Sequence, residues 1–246
     1  MDSYNQFAFI YDKLMTADIS YKKWHDYIEM IFSKYNKSIN TILEMACGTG
    51  NLTSYLAKED YMITCFDISQ EMLSIAQDKL KNNRNVKLYK RDMVDFSFNK
   101  KYDSILCMCD SINYITDKEE LLAVFKNVYK HLNDDGIFIF DINSYYKLNN
   151  IIGNNTFVHD DDNVFYVWEN IYDAEKEICQ FYLTFFVKEG DTYKRFDEEH
   201  LERAYKLEEI IELLNRAGFK DIDAYHEFTF EEVMDKSERI NFVVKK

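Results

Sequence analysis

The sequence predicts an α/β fold in which a mostly parallel sheet is covered by helices and is interrupted late by an inserted antiparallel segment. Between residues 41 and 141, short apolar strands alternate with helical patterns, which is typical of right-handed β–α–β units. A glycine loop at residues 46–50 separates the first of these strands from the helix that follows. After about residue 150, long strands follow one another without helices between them.

The parallel part begins after an amphipathic helix, because residues 21–35 carry apolar side chains at helical spacing. Asp117 is predicted to be the N-cap of the last helix in this part. The predicted strands are 41–45, 61–66, 86–89, 103–108 and 136–141, and the predicted helices are 51–58, 70–81 and 118–131.

The inserted part is predicted from a period of two, in which apolar residues alternate with polar ones between Cys179 and Val187. A turn at residues 189–191 joins two long strands as a hairpin. The predicted strands are 164–172, 178–187 and 193–205, followed by a helix at 207–216 and strands at 219–226 and 239–245. We therefore expect a core at 1–150 and 206–246, with an N-terminal helical cap at 1–38, and a β insertion at 151–205.

The composition limits the possible partners. The formal charge is −14, and no basic stripe is present, so DNA and bulk RNA are not expected as partners. The first residues resemble no signal peptide, and no apolar run reaches the length of a membrane span. The five cysteines have no zinc-site spacing. We expect a cytoplasmic monomer or homodimer that has no membrane segment, no disulfide and no structural metal.

The glycine loop and the next strand predict a nucleoside site. A glycine loop lets the backbone approach a ligand closely, and Asp67 at the end of the second strand is placed to bind ribose hydroxyls. A dinucleotide fingerprint needs a third glycine, but that position is Thr53. Glu44, at the end of the first strand, would repel a pyrophosphate and attract a cation. This combination points to S-adenosylmethionine.

The same residues resemble the first two motifs of the class I S-adenosylmethionine-dependent methyltransferases. The stretch Glu44-x-Ala46-Cys47-Gly48-x-Gly50 is similar to the first motif, with Ala46 in place of its first glycine. The stretch Asp67-Ile68-Ser69-x-x-Met72 is similar to the second motif, in which the acid binds the ribose and the next residues flank the adenine. The resemblance implies a Rossmann-like, seven-stranded, mostly parallel sheet.

Two further motifs of this family are also matched. Arg91-Asp92-Met93 resembles the third motif, which places an acid near the adenine amino group. Cys109-Asp110-Ser111-x-Asn113 lies at the position of the fourth, after the strand nearest the methyl group. The implied cofactor-binding residues are Tyr11, Trp24, Glu44, Ala46, Cys47, Gly48, Gly50, Asn51, Asp67, Ile68, Met72, Asp92, Met93 and Cys109.

The N-terminus narrows the resemblance. Tyr11-Asp12-x-Leu14-Met15 together with Tyr21-x-x-Trp24 is similar to small bacterial methyltransferases related to amino-sugar and glycine N-methyltransferases. In these relatives the N-terminal helix closes over the methionine end of the cofactor, and a β insertion forms the substrate lid. This implies that Tyr11 and Trp24 contact the methionine moiety. The alternative is that both are core aromatics on an amphipathic helix.

The insertion carries the candidate acceptor residues. Strand alternation puts Glu198, His200 and Glu202 on one face, where His200 or a neighbouring acid could bind or deprotonate an amine. The alternative is a solvated, charged strand. Residues 151–205 contain 13 acidic against 5 basic residues and 12 aromatics, which suits a neutral or cationic small molecule. An acidic surface kept for solubility explains the same count.

The predicted function is S-adenosylmethionine-dependent methylation of a small molecule, at nitrogen in preference to oxygen. The alternatives are a tRNA or protein methyltransferase and a non-catalytic S-adenosylmethionine-binding regulator. The chain contains no proline, so it lacks the Asp/Asn-Pro-Pro-aromatic motif of enzymes that methylate exocyclic nucleobase amines. The residues predicted to be catalytic are Tyr11, Ser111, Asn113 and His200, and no metal is expected. The residues placed where a nucleophile would be oriented are Asp110, Ser111, Asn113 and Tyr114.

Overall fold

The structure, a computed structural model, describes Asp12 and residues 20–246. The helices are α1 (Tyr21–Lys34), α2 (Asn51–Leu56), α3 (Gln70–Leu80), α4 (Lys118–His131) and α5 (Leu207–Ala217). The strands are β1 (Thr41–Met45), β2 (Met62–Asp67), β3 (Val86–Lys90), β4 (Tyr102–Cys107), β5 (Leu132–Asn143), β6 (Thr156–Asp160), β7 (Val164–Asp173), β8 (Ile178–Glu189), β9 (Thr192–Arg203), β10 (Asp221–His226) and β11 (Arg239–Lys245). Within this part of the chain, no helix has the length and apolar character to cross a membrane.

Seven strands form one sheet in the order β10-β11-β5-β4-β1-β2-β3. The five strands from β5 to β3 are parallel, and β11 runs antiparallel to both β5 and β10. The predicted mostly parallel, seven-stranded sheet is therefore confirmed. Its central strands are buried on both faces, which explains why they read as continuous apolar runs.

Helices cover both faces of this sheet. On one face α4 and α5 pack against the sheet through residues such as Val124, Phe125 and Leu213. On the other face α1, α2 and α3 contribute residues such as Ile28 and Leu56. The predicted N-cap of α4 is confirmed, because Asp117 accepts hydrogen bonds from the backbone N–H groups of residues 119 and 120.

A second sheet is built from the chain between β5 and α5, in the antiparallel order β6-β7-β8-β9. Only three of its strands were predicted. The first strand, β6, is almost wholly exposed, so its sequence lacks the alternation that reveals a half-buried strand. A π-helical segment, Lys147–Ile152, leads into this sheet. Its Leu148 and Ile152 pack against the face that carries Trp168, Cys179 and Phe181, which we call the inner face.

Replacing Gly50 with alanine should destabilise the fold more than replacing Gly190 does. Both glycines have positive φ, of 74° and 64°, so each alanine has a similar backbone cost. A Cβ at Gly50 would lie 3.0 Å from Leu80 and 3.2 Å from Ala76, whereas one at Gly190 meets nothing within 4 Å. Overpacking should add about 1–3 kcal/mol at Gly50, measurable by urea unfolding. Equal losses at the two positions would show that α3 gives way without cost.

Candidate functional site

The site lies at the edge of the seven-stranded sheet where the parallel strands end. Glu44 and Asp67 are at the ends of β1 and β2, Asp141 lies near the end of β5, and Asp110 follows β4. These strands are hydrogen-bonded neighbours, so their carboxyl ends meet at one edge. In open α/β sheets this edge is where ligands bind.

The loop that leaves β1 is folded through left-handed backbone conformations. Ala46, Gly48 and Gly50 have φ values of 50°, 54° and 74°. At Ala46 this conformation costs free energy that it would not cost at a glycine. This explains why the first methyltransferase motif, which the loop resembles, has glycine at this position. Cys47 is buried, and its backbone N–H donates to the carbonyl of Phe66. This hydrogen bond holds the loop to the end of β2.

Glu44 is a buried acid, 3% exposed, behind this loop. Its Oε2 accepts a hydrogen bond of 2.7 Å from the Thr53 hydroxyl at the start of α2. Burial raises the pKa of Glu44, the hydrogen bond from Thr53 lowers it, and the nearby charge of Asp67 raises it. The net pKa is about 7. A cation placed beside this carboxyl would favour its ionised form.

Asp67 joins the loop to the neighbouring cleft. Its Oδ2 accepts from the N–H of Gly48 at 2.8 Å, and its Oδ1 accepts from the N–H of Ser69 at 2.9 Å. Burial raises the pKa of this carboxyl, and the backbone hydrogen bonds oppose that rise. A carboxylate has about four acceptor positions, so the two oxygens can still accept from a pair of ligand hydroxyls.

A cleft of about 400 Å³ opens beside Asp67. Ile68, which is 63% exposed, and Met93 line it with apolar surface, and Asp92 adds a carboxylate held by the N–H of Val94 at 2.9 Å. The volume and the apolar lining are typical of a site for a small ligand. Ala46 and Asp67 line the same cleft, so it is continuous with the glycine loop.

Met72 turns toward the second sheet. It lies in the first turn of α3 and is partly buried against Val164, Phe185 and Phe196 of the second sheet. The helix that follows Asp67 is therefore in contact with both halves of the molecule.

Asp12 connects the N-terminal part of the chain to the loop. Its Oδ1 accepts hydrogen bonds from the Thr49 hydroxyl at 2.5 Å, from the Asn51 amide at 2.8 Å and from Lys79 at 2.8 Å. Lys79 also donates to the Asn51 amide oxygen. These contacts bring Asn51 to the boundary between the loop and the N-terminal segment.

The two aromatic residues of the N-terminal motif are placed differently. Tyr11 lies outside the residues that the structure describes. Trp24 is 3% exposed, with its ring 4.4 Å from the ring of Phe228 and 5.5 Å from the guanidinium carbon of Arg239. These contacts make Trp24 part of the core, and its contact with a ligand stays a prediction.

The turn after β4 contains the other predicted residues. Cys109 and Asp110 both have left-handed backbone conformations, and the Ser111 hydroxyl donates to the carbonyl of Met108 at 2.9 Å. Asn113 is fully buried, and its amide donates to the carbonyls of Asn143 and of residue 203. Both N–H groups of Asn113 are thereby used by the backbone, so its contacts serve to hold the turn, and a direct contact with an acceptor stays a prediction.

The inner face of β9 carries the charged residues that alternation placed together. Glu198 and His200 are partly buried, and Glu202 is 2% exposed. Burial lowers the pKa of His200, whose ring lies edge-on 5.9 Å from that of Tyr114. Burial, together with the charge of Asp110, raises the pKa of Glu202 well above its usual value.

The sequence interpretation missed two of the charged residues beside the turn, Asp141 and Arg239. Asp141 is fully buried, and Arg239 forms ion pairs with both Asp141 and Asp110. Glu202 accepts from the Asn143 amide at 2.9 Å. An available signal was Asp141 itself, because a charge inside the apolar run of β5 needs a buried partner.

Comparisons with known proteins agree on one family. Residues 42–136 match a family model described as "Methyltransferase domain". The chain is 33% identical to a putative methyltransferase, YqeM, of Bacillus subtilis (strain 168), over 99% of this chain and 97% of that protein. It is 45% identical to the crystal structure of an S-adenosylmethionine-dependent methyltransferase from Clostridium acetobutylicum ATCC 824, with a TM-score of 0.90 and 99% of each chain covered.

The name of a more distant relative specifies its methyl acceptor. It is the dTDP-3-amino-3,4,6-trideoxy-alpha-D-glucopyranose N,N-dimethyltransferase of Streptomyces venezuelae, 29% identical over 100 residues, which is 41% of each chain.

The raised pKa of Glu44 makes a stability prediction. Because the folded-state pKa of about 7 lies above the unfolded value near 4.5, the folded state holds this proton more tightly. Stability from this proton is fully present below pH 4.5 and is lost as the pH rises through 7. Relative to Glu44→Gln, the wild type should lose up to about 3 kcal/mol of unfolding free energy between pH 4.5 and 8.

The measurement is urea unfolding of the ligand-free protein across this pH range. Glu212→Gln, on an exposed position of α5, is the matched control and should keep the wild-type pH dependence. If Glu44→Gln followed the wild-type profile as closely as the control does, Glu44 would not hold a proton in the folded state.

Proposed function

The chain belongs to the S-adenosylmethionine-dependent methyltransferases, and on that basis we propose that it methylates the nitrogen of a small-molecule amine. The donor half of this reaction follows from the family. The proposal concerns the acceptor and the residues that hold each partner. The observation that carries it is the inner face of the second sheet, where acidic and aromatic side chains meet the end of β4.

The residues around the glycine loop suit the cofactor. In this proposal Asp67 holds the ribose hydroxyls with its remaining acceptor positions, and Ile68 and Met93 flank the adenine in the 400 Å³ cleft. Glu44 lies behind the loop, where a cationic ligand would favour its ionised form. When bound, the cofactor supplies the methyl group and a thioether leaving group, so the amine lone pair forms the C–N bond while the C–S bond breaks toward sulfur.

The inner face of the second sheet supports an acceptor site. Cross-strand pairing puts Trp168, Phe181 and His200 on one face, and the rings of Trp168 and Phe181 lie 5.4 Å apart. Glu198 lies two residues from His200 on this face, and burial raises the pKa of Glu198. Aromatic faces and carboxylates are the groups that recognise ammonium ions. We therefore propose that residues 151–205 form the substrate lid.

Methyl transfer to an amine does not require a strong general base. An amine attacks only as the neutral form, so the site needs to orient its lone pair and to take a proton before or after transfer. Burial lowers the pKa of His200, so its imidazole is neutral near pH 7 and can accept that proton. The similarity to the Streptomyces venezuelae relative, an amino-sugar N,N-dimethyltransferase by name, supports nitrogen as the acceptor atom.

Replacing Asp67 with alanine should weaken S-adenosylmethionine binding tenfold or more, because hydrogen bonds to a charged group contribute about 1.5–3 kcal/mol. Asp78→Ala, an exposed acid on the same α3 helix, is the control and should change the dissociation constant little. Isothermal titration calorimetry measures both. An unchanged affinity for Asp67→Ala would remove Asp67 from the cofactor site.

The acceptor class is tested with methyl-labelled S-adenosylmethionine offered with simple amines, amino sugars, carboxylic acids, a total tRNA pool and a protein extract. The proposal expects label in the amine or amino-sugar fraction. Transfer confined to tRNA or protein would replace it with a macromolecular methyltransferase. Binding of the cofactor without transfer to any pool would support the regulator alternative.

For an amine that accepts the methyl group, His200→Gln should lower kcat about tenfold or more while the affinity for S-adenosylmethionine is kept. Glu199→Gln lies on the opposite, exposed face of β9 and is the control. Steady-state kinetics with the labelled donor gives both values. Equal rates for the two variants would place His200 outside the acceptor site.

A further inference from the structure

The turn after β4 is held in an unfavourable backbone conformation. Cys109 and Asp110 are consecutive residues with φ of 59° and 53°, and neither is a glycine. Each such residue costs free energy, and the conformation persists only where the surroundings enforce it. The turn therefore needs a specific restraint.

Buried charges provide that restraint. The N–H of Asp110 donates to Oδ2 of Asp141 at 3.0 Å. The guanidinium of Arg239 pairs with Oδ1 of Asp110 at 2.7 Å and also with Oδ2 of Asp141. Arg239 thus closes a ring that includes both the backbone and the side chain of Asp110. Its side chain is 13% exposed and that of Asp141 is 0% exposed, so water screens these pairs weakly.

The restrained turn lies between the two halves of the reaction site. On one side, β4 is the parallel neighbour of β1, from whose end the glycine loop departs. On the other side, the charge of Asp110 acts on Glu202 of β9, and the Asn113 amide binds the backbone of β9. Methyl transfer requires donor and acceptor to meet within about 3–3.5 Å in line, so a small displacement here affects the rate.

Arg239 also connects distant parts of the chain to this turn. It begins β11, next to Asn143 of β5, and its guanidinium lies 5.5 Å from the ring of Trp24 on α1. Its second nitrogen, Nη2, donates to the side-chain oxygen of Asn143 at 3.3 Å, and that residue in turn holds Glu202. Its donors are therefore directed at protein groups.

We infer that Arg239 is a positioning residue for methyl transfer, which holds the Cys109–Asp110 turn, and with it the Asp110 carboxylate, at the junction of the cofactor loop and the lid. Arg239 acts through Asp110 and does not itself contact the substrate. The inference needs only the family reaction, and it does not depend on the acceptor being an amine.

The first test follows the turn directly. In Arg239→Met with S-adenosylmethionine bound, the backbone amides of Asp110 and Asn113 should exchange with deuterium tenfold or more faster, while those of β1 and β4 keep their protection. The affinity for S-adenosylmethionine should stay within about threefold of the wild type. Arg239→Lys keeps a charge and should recover part of the protection. Arg195→Met removes an exposed arginine paired with Asp197 on the outer face of the lid and is the control.

The outcomes separate positioning from a general structural role. Unchanged exchange at Asp110 and Asn113 in Arg239→Met would overturn the inference. So would a loss of protection across the whole sheet together with a loss of cofactor affinity, because that pattern describes a core residue. With an acceptor identified, Arg239→Met should lower kcat tenfold or more at an unchanged KM for the cofactor. An unchanged kcat would also overturn the inference. Absence of any accepted amine would reject the proposed function and leave the exchange test intact.

Discussion

The fold and the site both depend on how the negative charge of several acidic residues is compensated at one edge of the seven-stranded sheet. Because β1, β2, β4 and β5 are parallel neighbours, the acids that end or follow them are forced to the same edge. Glu44, Asp67 and Asp141 cannot all be ionised there without compensation, since burial raises the pKa of each of these three carboxyls. The acids are compensated by a hydroxyl, by backbone N–H groups or by an arginine. These differences divide the edge into the side of β1 and β2, which is the donor side in the proposed function, and the side of β4 and β5, which is the acceptor side.

The donor side is compensated only by neutral groups. Glu44 accepts from a hydroxyl and Asp67 accepts from backbone N–H groups, so the hydrogen-bond donors to these two acids among the described residues are neutral. In the proposed function, a positively charged cofactor would supply the missing positive charge, and the same field would favour it over its neutral product. On the side of β4 and β5, Arg239 pairs with Oδ1 of Asp110 and with Oδ2 of Asp141. Those two acids therefore have a cation within the protein itself, and the role inferred for them is to position the turn.

The sequence predicted where Glu44 and Asp67 lie in the fold, because a strand-end position is defined locally. The boundaries of β1 and β2 were correct to within one residue. The contact of these two acids with a cofactor stays a prediction. Thr53 entered the argument only as a missing glycine, yet it donates to Glu44. The acceptor side was largely missed because its pairs join residues far apart, such as Asp141 and Arg239, which are 98 positions apart. Strand β6 was missed because it is exposed, and periodicity reports burial.

The second sheet contacts the seven-stranded half at the turn after β4, at Asn143 and at Met72. The family model matches residues 42–136 and stops before the first strand of this sheet. If the acceptor binds to the inner face as proposed, a substitution there such as Phe181→Ala would change which acceptor binds and would leave the hydrogen bonds of Glu44 and Asp67 in place. The choice of acceptor and the binding of the donor would then be separable properties of one chain.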